Sequence, residues 1–344
     1  MSGAVLDAAS KTFGWGIVGY GWVARDYAAP GIAEAGGRVA AVCDPDPRAR
    51  ALAGAAGAAA HADLGAFLAD PSVEAVYVAT PNHLHRAAVE AAARAGKAVL
   101  CEKPMAATLA DAEAMAEAVS RAGVAYATAF DQRHHPAHGA MRDAIADGLV
   151  GTVTAVRIAY ACWLPRDWAP VEGHDNWRAD AARAGGGALM DLAPHGLDLV
   201  EYLLSGDAVA EVAALTQRRA QDYAVDDGAA LVGRTGGGVL LSHHVAYNCP
   251  DALPRRRLEV LGTRGMLAAE DTMGQTPGGR ATHTDDAGRA RPLAVPDADA
   301  SPFARQMRAF AALVASGSRE STAARDLQTM RLLHAAYRSD PSCR

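Results

Sequence analysis

The spacing of apolar positions in this 344-residue chain changes about a third of the way along. Up to residue 131, compact β-rich runs alternate with longer helix-patterned ones. WGIVG (15–19), RVAAVCD (38–44), VEAVYVAT (73–80), KAVLCEK (97–103) and VAYATAF (124–130) read as strands. Between them lie a helix-compatible stretch ending near Ala35, then PDPRARALAGAAG, HRAAVEAAARAG and LADAEAMAEAVSRAG, the last two each closed by a glycine after the final turn. This alternation predicts a doubly wound parallel sheet with helices on both faces, an α/β unit over 1–131.

Beyond residue 131 the order differs. One helix (136–151) leads into a long strand, TVTAVRIAYACW. AEVAALTQRRA, GAALVGRT, GVLLSHHVAY and RLEVLGT follow as further strands. TGGG at 235–238 is a hairpin-turn signal between two of them. Helices at roughly 303–316 and 322–338 close the chain. Strands in succession need antiparallel neighbours, so 132–344 is expected to be an α+β unit with a largely antiparallel sheet. The Gly-, Asp- and Thr-rich stretch 271–292 reads as a surface loop.

Composition narrows the function. Half of the residues are hydrophobic and 21% are charged, as in ordinary globular proteins. The net charge of −6 argues against a polyanion partner, so no nucleic acid is expected. No apolar run reaches membrane-spanning length and no signal peptide is read. The five scattered cysteines lack metal spacing and fit a reducing, cytoplasmic setting. The histidines of HHPAH (His134, His135, His138) do not match a closed zinc pattern, and no metal is expected.

GYGWVA (19–24) follows the first strand and opens the first helix as G-x-G-x-x-A. Gly19 allows the tight turn, Gly21 lets backbone approach a pyrophosphate, and Ala24 permits close helix–strand packing. Asp44 ends the second strand, where a carboxylate holds ribose hydroxyls and favours NAD over NADP, although NADP is not excluded. Arg48, one turn on, would weaken that preference if it faced the ribose; a plain exposed helix charge is the simpler reading.

The stretch GGGALMDLAPHGLD (185–198) runs glycines into a helical pattern carrying Asp191 and His195 four positions apart, on one face. An imidazole suits proton transfer at an alcohol, and a lysine suits the developing alkoxide. Lys103 ends the KAVLCEK strand at the carboxyl edge of the sheet, where ligands bind. Asp191 either orients the imidazole or binds a second hydroxyl. The glycines are expected to let backbone pass close to cofactor or substrate. Pro194 is expected to bend the helix and help aim His195. Trp163, Trp168, His174 and Trp177 fall on the segment before the glycine run. Their aromatic faces either stack on sugar rings or pack a long loop.

GYGWVA, ATPNHLH (79–85), CEKPM (101–105) and AGGGALMDLAPHGLDL (184–199), in this order, make the chain resemble the Gfo/Idh/MocA family of NAD(P)-dependent oxidoreductases. FDQRHHP, NWRAD, LEVLGTRGML and the closing ARDLQTMRLLHAAYRS are lesser echoes. The resemblance spans nearly the whole chain. It implies hydride transfer at a hydroxyl-bearing carbon of a sugar, cyclitol or related polyol, with Lys103, Asp191 and His195 at the reacting centre. Cofactor contacts are implied for Gly19, Tyr20, Gly21, Trp22, Val23, Asp44, Thr80, Pro81, Asn82, Glu102 and Lys103. The TPN-x-x-H histidine, His85, joins this set, with fixing the loop as its alternative task; His83 is an extra. Arg133 is placed near the nicotinamide, and His134 and His135 replace the commoner aromatic beside it. Trp177 and Arg178 stand at the cofactor or the entrance. Trp163, His174 and Tyr247 are weaker substrate candidates. The resemblance also makes 1–131 a dinucleotide-binding Rossmann domain and 132–344 a substrate-binding and oligomerisation domain, whose large, mostly antiparallel sheet implies a homodimer or homotetramer. Two other outcomes stay open: a glycosidase or lyase that oxidises transiently and then eliminates, and a non-catalytic sensor of NAD or a metabolite.

Overall fold

The computed structural model describes residues 12–169 and 175–341. The first sheet has six parallel strands: β1 (Gly14–Val18), β2 (Arg38–Cys43), β3 (Ala59–His61), β4 (Ala75–Val78), β5 (Ala98–Cys101) and β6 (Tyr126–Thr128). Every residue of β1, β4 and β5 is buried, as expected of strands covered on both faces. The order β3-β2-β1-β4-β5-β6 reverses direction between β1 and β4. That reversal opens a crevice at the strands' carboxyl ends. Around the sheet lie α1 (Ala29–Glu34), entered through a π-helical turn at Ala24–Ala28, then α2 (Pro47–Ala55), α3 (Leu64–Leu68), α4 (His85–Arg94) and α5 (Leu109–Ala122). Asp46 and Thr108 cap α2 and α5 by accepting backbone N–H bonds, and Gly123 in the left-handed region stops α5. Both β3 and α3 escape the sequence pattern because three and five residues carry no readable period.

After α6 (Pro136–Ala146) comes β7 (Val153–Ala161), then α7 (Ala181–Ala184) and α8 (Ala188–Leu203). The remaining strands are β8 (Val209–Gln217), β9 (Gly228–Thr235), β10 (Leu240–Ala246), β11 (Arg256–Gly262), β12 (Gly265–Glu270), β13 (Arg280–Asp285) and β14 (Ala290–Pro292). With β7 they form one sheet in the order β14-β13-β12-β11-β7-β10-β9-β8, antiparallel except where β10 runs parallel to β7. The stretch 271–292 is therefore not simply a loop. Part of it forms the β13–β14 edge hairpin, whose alternation is short and masked by polar residues such as Thr282 and Thr284.

Thirteen of the sixteen residues of α8 are buried, which makes it a core helix rather than a surface one. Its Leu189, Met190 and Val200 share one continuous apolar cluster with Val78 and Cys101 of the first sheet and Val156 and Ile158 of the second. After β14 come α9 (Pro302–Ala315), which returns to the first sheet, and α10 (Ala323–Ser339), which lies between α5 and β8 of the second sheet. Phe303, Met307 and Phe310 of α9 pack with Trp15, Ile17 and Tyr77. Tyr126 exchanges backbone hydrogen bonds with Glu320 and Thr322, so the open edge of β6 is partly covered. Among the described residues no helix is long and apolar enough to cross a membrane.

Candidate active site

At the turn after β1, Gly19 has φ +84°, and a Cβ there would meet Ala79 O at 2.8 Å. Gly21 differs: a Cβ on it would meet no described atom within 4 Å, so the space above the turn is open. Asp44 accepts from Tyr20 N at 2.7 Å through Oδ2 and from Asp46 N at 2.8 Å through Oδ1. Each carboxylate oxygen keeps a further lone pair for a ligand hydroxyl. Arg48 is exposed. Thr80 Oγ1, in the loop after β4, is buried without a partner among the described residues. The open cradle, the orphaned hydroxyl and the spare acceptors of Asp44 fit a dinucleotide lying across the crevice.

The same region has internal ties. Val23 packs against the apolar cluster under α1, and Tyr20 is buried. Following Thr80 and Pro81, Asn82 is buried and donates to Ala184 O at 2.8 Å, joining the cofactor loop to α7. His85 is fully buried, with Nε2 2.9 Å from Thr80 O and Nδ1 3.1 Å from Pro104 O. Burial brings its pKa down to about 4, so the ring is neutral and its single N–H donates to the carbonyl of one loop while its body packs against the other. Glu102 accepts a short hydrogen bond from Tyr77 Oη, and burial pushes its carboxyl up despite Tyr77 and Lys103.

Lys103 leaves β5 just before a cis Lys103–Pro104 bond. Its Nζ donates to Asp191 Oδ1 at 2.5 Å and to Asp191 O at 2.9 Å. Tyr247 Oη donates to the other carboxylate oxygen at 2.7 Å. Burial alone would raise the Asp191 carboxyl; Lys103, Arg178 and the Tyr247 hydroxyl overcome it and hold the group well below the usual range. Asp191 is thus a committed anion between a lysine and a tyrosine. His195, one turn on, is 4% exposed and neutral, its pKa driven far down by burial and then by Lys103. Its Nδ1 is 3.3 Å from Asp131 Oδ1, at ion-pair distance but off line for a hydrogen bond. Tyr160 of β7 sets its ring edge-on to the imidazole at 5.5 Å.

The three glycines before α8 have a different task from the one expected. A Cβ at Gly185 would lie 2.1 Å from Ala107 O, at Gly186 2.2 Å from Tyr337 Oη, and at Gly187 1.9 Å from Asp226 O. The close approach at all three is to protein. Asp226 then caps α8 from outside, accepting from Gly187 N at 2.9 Å and Leu189 N at 2.8 Å, with Tyr337 Oη donating to it at 2.7 Å. Pro194 sits inside α8, a sixteen-residue helix that continues past it.

Arg178 lies 4.4 Å above the Trp177 ring and 5.3 Å from that of Trp168. Trp168 in turn meets Trp22 of the cofactor turn edge-on at 5.5 Å. Trp163 is 44% exposed at the start of this segment, and His174 lies outside the described residues. Arg133 is engaged elsewhere: its Nε donates to both Asp198 oxygens at 2.6 and 2.7 Å, and its guanidinium lies over Tyr202. His135 caps α6, and His138 bonds Gln132 O and Thr272 Oγ1, so these two histidines hold the fold. Among the described residues no group of three or more His, Cys, Asp or Glu could hold a metal. Asp131, Tyr160 and Asp226 had not been singled out in the sequence. Asp131 is the one with a signal, an acid in a short run between an apolar strand and an arginine.

Fold and site together define an oxidoreductase built on a dinucleotide-binding sheet. Residues 13–130 match the Gfo/Idh/MocA oxidoreductase family with its NAD-binding Rossmann fold, and 138–268 match that family's C-terminal domain; the chain belongs to this family. It is 37% identical over 270 residues to 1,5-anhydro-D-fructose reductase of Ensifer adhaerens, covering 78% of this chain and 79% of that one. D-apiose dehydrogenase of Paraburkholderia graminis is 32% identical over 340 residues, covering 96% and 88%. Among solved structures, aldose-aldose oxidoreductase from Caulobacter crescentus, complexed with glycerol, superposes with a TM-score of 0.85 at 27% identity, covering 97% of this chain and 99% of that one.

Proposed function

We propose that the protein transfers hydride between NAD(H) and a hydroxyl-bearing carbon, or the matching ketone, of a sugar or cyclitol. The observation that carries this reading is the Lys103–Asp191–Tyr247 chain held beside the imidazole of His195 at the carboxyl ends of the first sheet. Bound NAD supplies the hydride acceptor. The chain's own residues supply the rest. Gly19 and Gly21 admit the pyrophosphate, and Asp44 takes the ribose hydroxyls. Lys103, fixed by Asp191, presents N–H donors that stabilise negative charge on the reacting oxygen. Neutral His195 accepts the hydroxyl proton in oxidation and returns it in reduction. The named activities of the two relatives, a 1,5-anhydro-D-fructose reductase and a D-apiose dehydrogenase, support a polyol substrate.

Lys103→Ala should lower kcat for polyol oxidation roughly a hundred- to a thousandfold while NAD affinity, read by calorimetry, falls far less. The parent protein is first assayed over a sugar and cyclitol panel, following NADH absorbance and product together. Product without net NADH would favour transient oxidation with elimination. Wild-type biological effect in Lys103→Ala and His195→Ala variants would favour a sensor.

The second sheet also supports a homodimer or homotetramer. Leu215, Val232 and Leu240 are 65%, 58% and 57% exposed on neighbouring strands of its outward face. The four described cysteines are free, which fits a cytoplasmic setting.

A further inference from the structure

Resting on the reading of His195 as the proton-transfer group, we propose that Asp131 is its positioning residue, fixing which ring nitrogen carries the proton. Asp191 is directed elsewhere: its two oxygens accept from Lys103 and Tyr247. Asp131 faces Nδ1 from a separate element, the short 3-10 turn Asp131–His134 after β6. It is 4% exposed, and its Oδ2 is pinned at 3.0 Å by Gln132 Nε2, which leaves Oδ1 for Nδ1 of His195. Gln132 is itself anchored to Gly274 O at 3.0 Å. The carboxylate therefore sits on a braced support.

The other faces of the ring are closed by groups that leave Nδ1 to Asp131. Tyr160 and Phe130 present ring edges at 5.5 and 6.5 Å. His243 of β10 packs under Gly196, where a Cβ would lie 2.2 Å from its imidazole. Lys103 and Asp191 adjoin the His195 side, and Glu102 with Lys103 adjoins the Asp131 side. A small rotation of the imidazole aligns the 3.3 Å contact, as catalytic hydrogen bonds do on substrate binding. With Asp131 ionised, Nδ1 keeps its proton and donates to Oδ1, so Nε2 presents a lone pair to the substrate hydroxyl. In oxidation the hydroxyl proton moves to Nε2 as the carbon-bound hydride leaves for the nicotinamide. The imidazolium so formed is stabilised by the Asp131 carboxylate, which keeps its charge. Reduction reverses each transfer. Burial and the neighbouring Glu102 lift Asp131 to about 7, so its ionisation, and with it the oxidative tautomer, changes around that pH.

The test is nitrogen NMR of histidine-labelled protein beside kinetics. Cofactor-free wild type should show His195 protonated at Nδ1 above pH 7, and Asp131→Asn should show a mixture of tautomers. The same variant should lose roughly a hundredfold in kcat for oxidation, with KM little changed and the acidic limb of the pH profile displaced. A Nε2-protonated ring in the wild type above pH 7, or wild-type kcat and pH profile in Asp131→Asn, overturns the proposal. The wild-type spectrum decides even if the variant folds poorly. If no polyol is oxidised, the functional reading fails, while the tautomer measurement still judges Asp131.

Discussion

Two glycine-rich turns lead into helices at this site, and they use glycine in opposite ways. At 19–21 the second glycine faces open space, and a side chain there would displace only a ligand. At 185–187 every glycine faces its own protein: the Ala107 backbone, the Tyr337 ring and the Asp226 backbone. The first turn is shaped for something that arrives later. The second is a closed joint where α5's approach, α10 and the loop before β9 meet the start of α8. One sequence signal, glycine before a helix, thus serves binding in one place and packing in the other.

The largest effect should come from adding one carbon to each turn. Gly187→Ala places a methyl 1.9 Å from a backbone oxygen that also helps hold the helix start, and neither partner is the flexible end of a side chain. A loss of about 3 kcal/mol or more is expected, at the upper end for overpacking, read by urea denaturation. Gly21→Ala should leave the denaturation midpoint in place, within about 0.5 kcal/mol, yet weaken NAD binding sharply in calorimetry. If Gly187→Ala melted like the wild type and lost NAD binding instead, the two turns would not differ as described.

A second test uses the buried titratable groups, which crowd the α8 side. Burial lowers His85, His134 and His135 to about 4, and His138 and His243 to about 3. Below 6.5 the unfolded chain protonates these imidazoles and the folded one does not, so their effect is to lower stability as pH falls from 6.5 towards 4. Asp131 and Asp198, raised to about 7 by burial, act the other way, because the folded chain holds their protons up to that pH. His195 and His334 shift with the first set and Glu102 and Asp226 with the second, so seven groups against four leave a net proton uptake on unfolding. Stability should fall by about 1.4 kcal/mol or more per pH unit between 6 and 5, measured by urea midpoints. A flat profile would show that the joint around α8 tolerates charge.

How much of this was legible in the sequence follows the same division. The parallel sheet and the cofactor turn were readable because their signals are local: a strand ending in G-x-G, an acid ending the next strand. Lys103, Asp191 and Tyr247 were each marked as candidates, but only the fold brings them into one hydrogen-bonded chain, since 88 and 56 positions separate the partners. Asp226 and Asp131 were missed for the same reason; each acts on α8 from a distant segment. The glycine run was visible, yet its purpose was not, because what a missing Cβ makes room for is a tertiary fact. The β13–β14 hairpin was hidden by polar edge strands whose alternation is too short to rise above a loop.

The smallest effect tests whether the two turns are connected. Trp22, on the first, meets Trp168 edge-on, and Trp168 lies under the Arg178 guanidinium of the segment that leads to the second. Trp22 is held from behind by Tyr27 at 5.3 Å, so its ring is supported on both sides. If the contact carries coupling, a double-mutant cycle of Trp22→Leu and Trp168→Leu, read by NAD affinity, should give about 0.5–1.5 kcal/mol, the range for an aromatic pair beyond its buried area. Additive losses would mean that each indole acts on its own turn. A coupling measured in stability but absent from NAD affinity would place the contact in packing alone, and the open turn would then bind its ligand independently of the closed one.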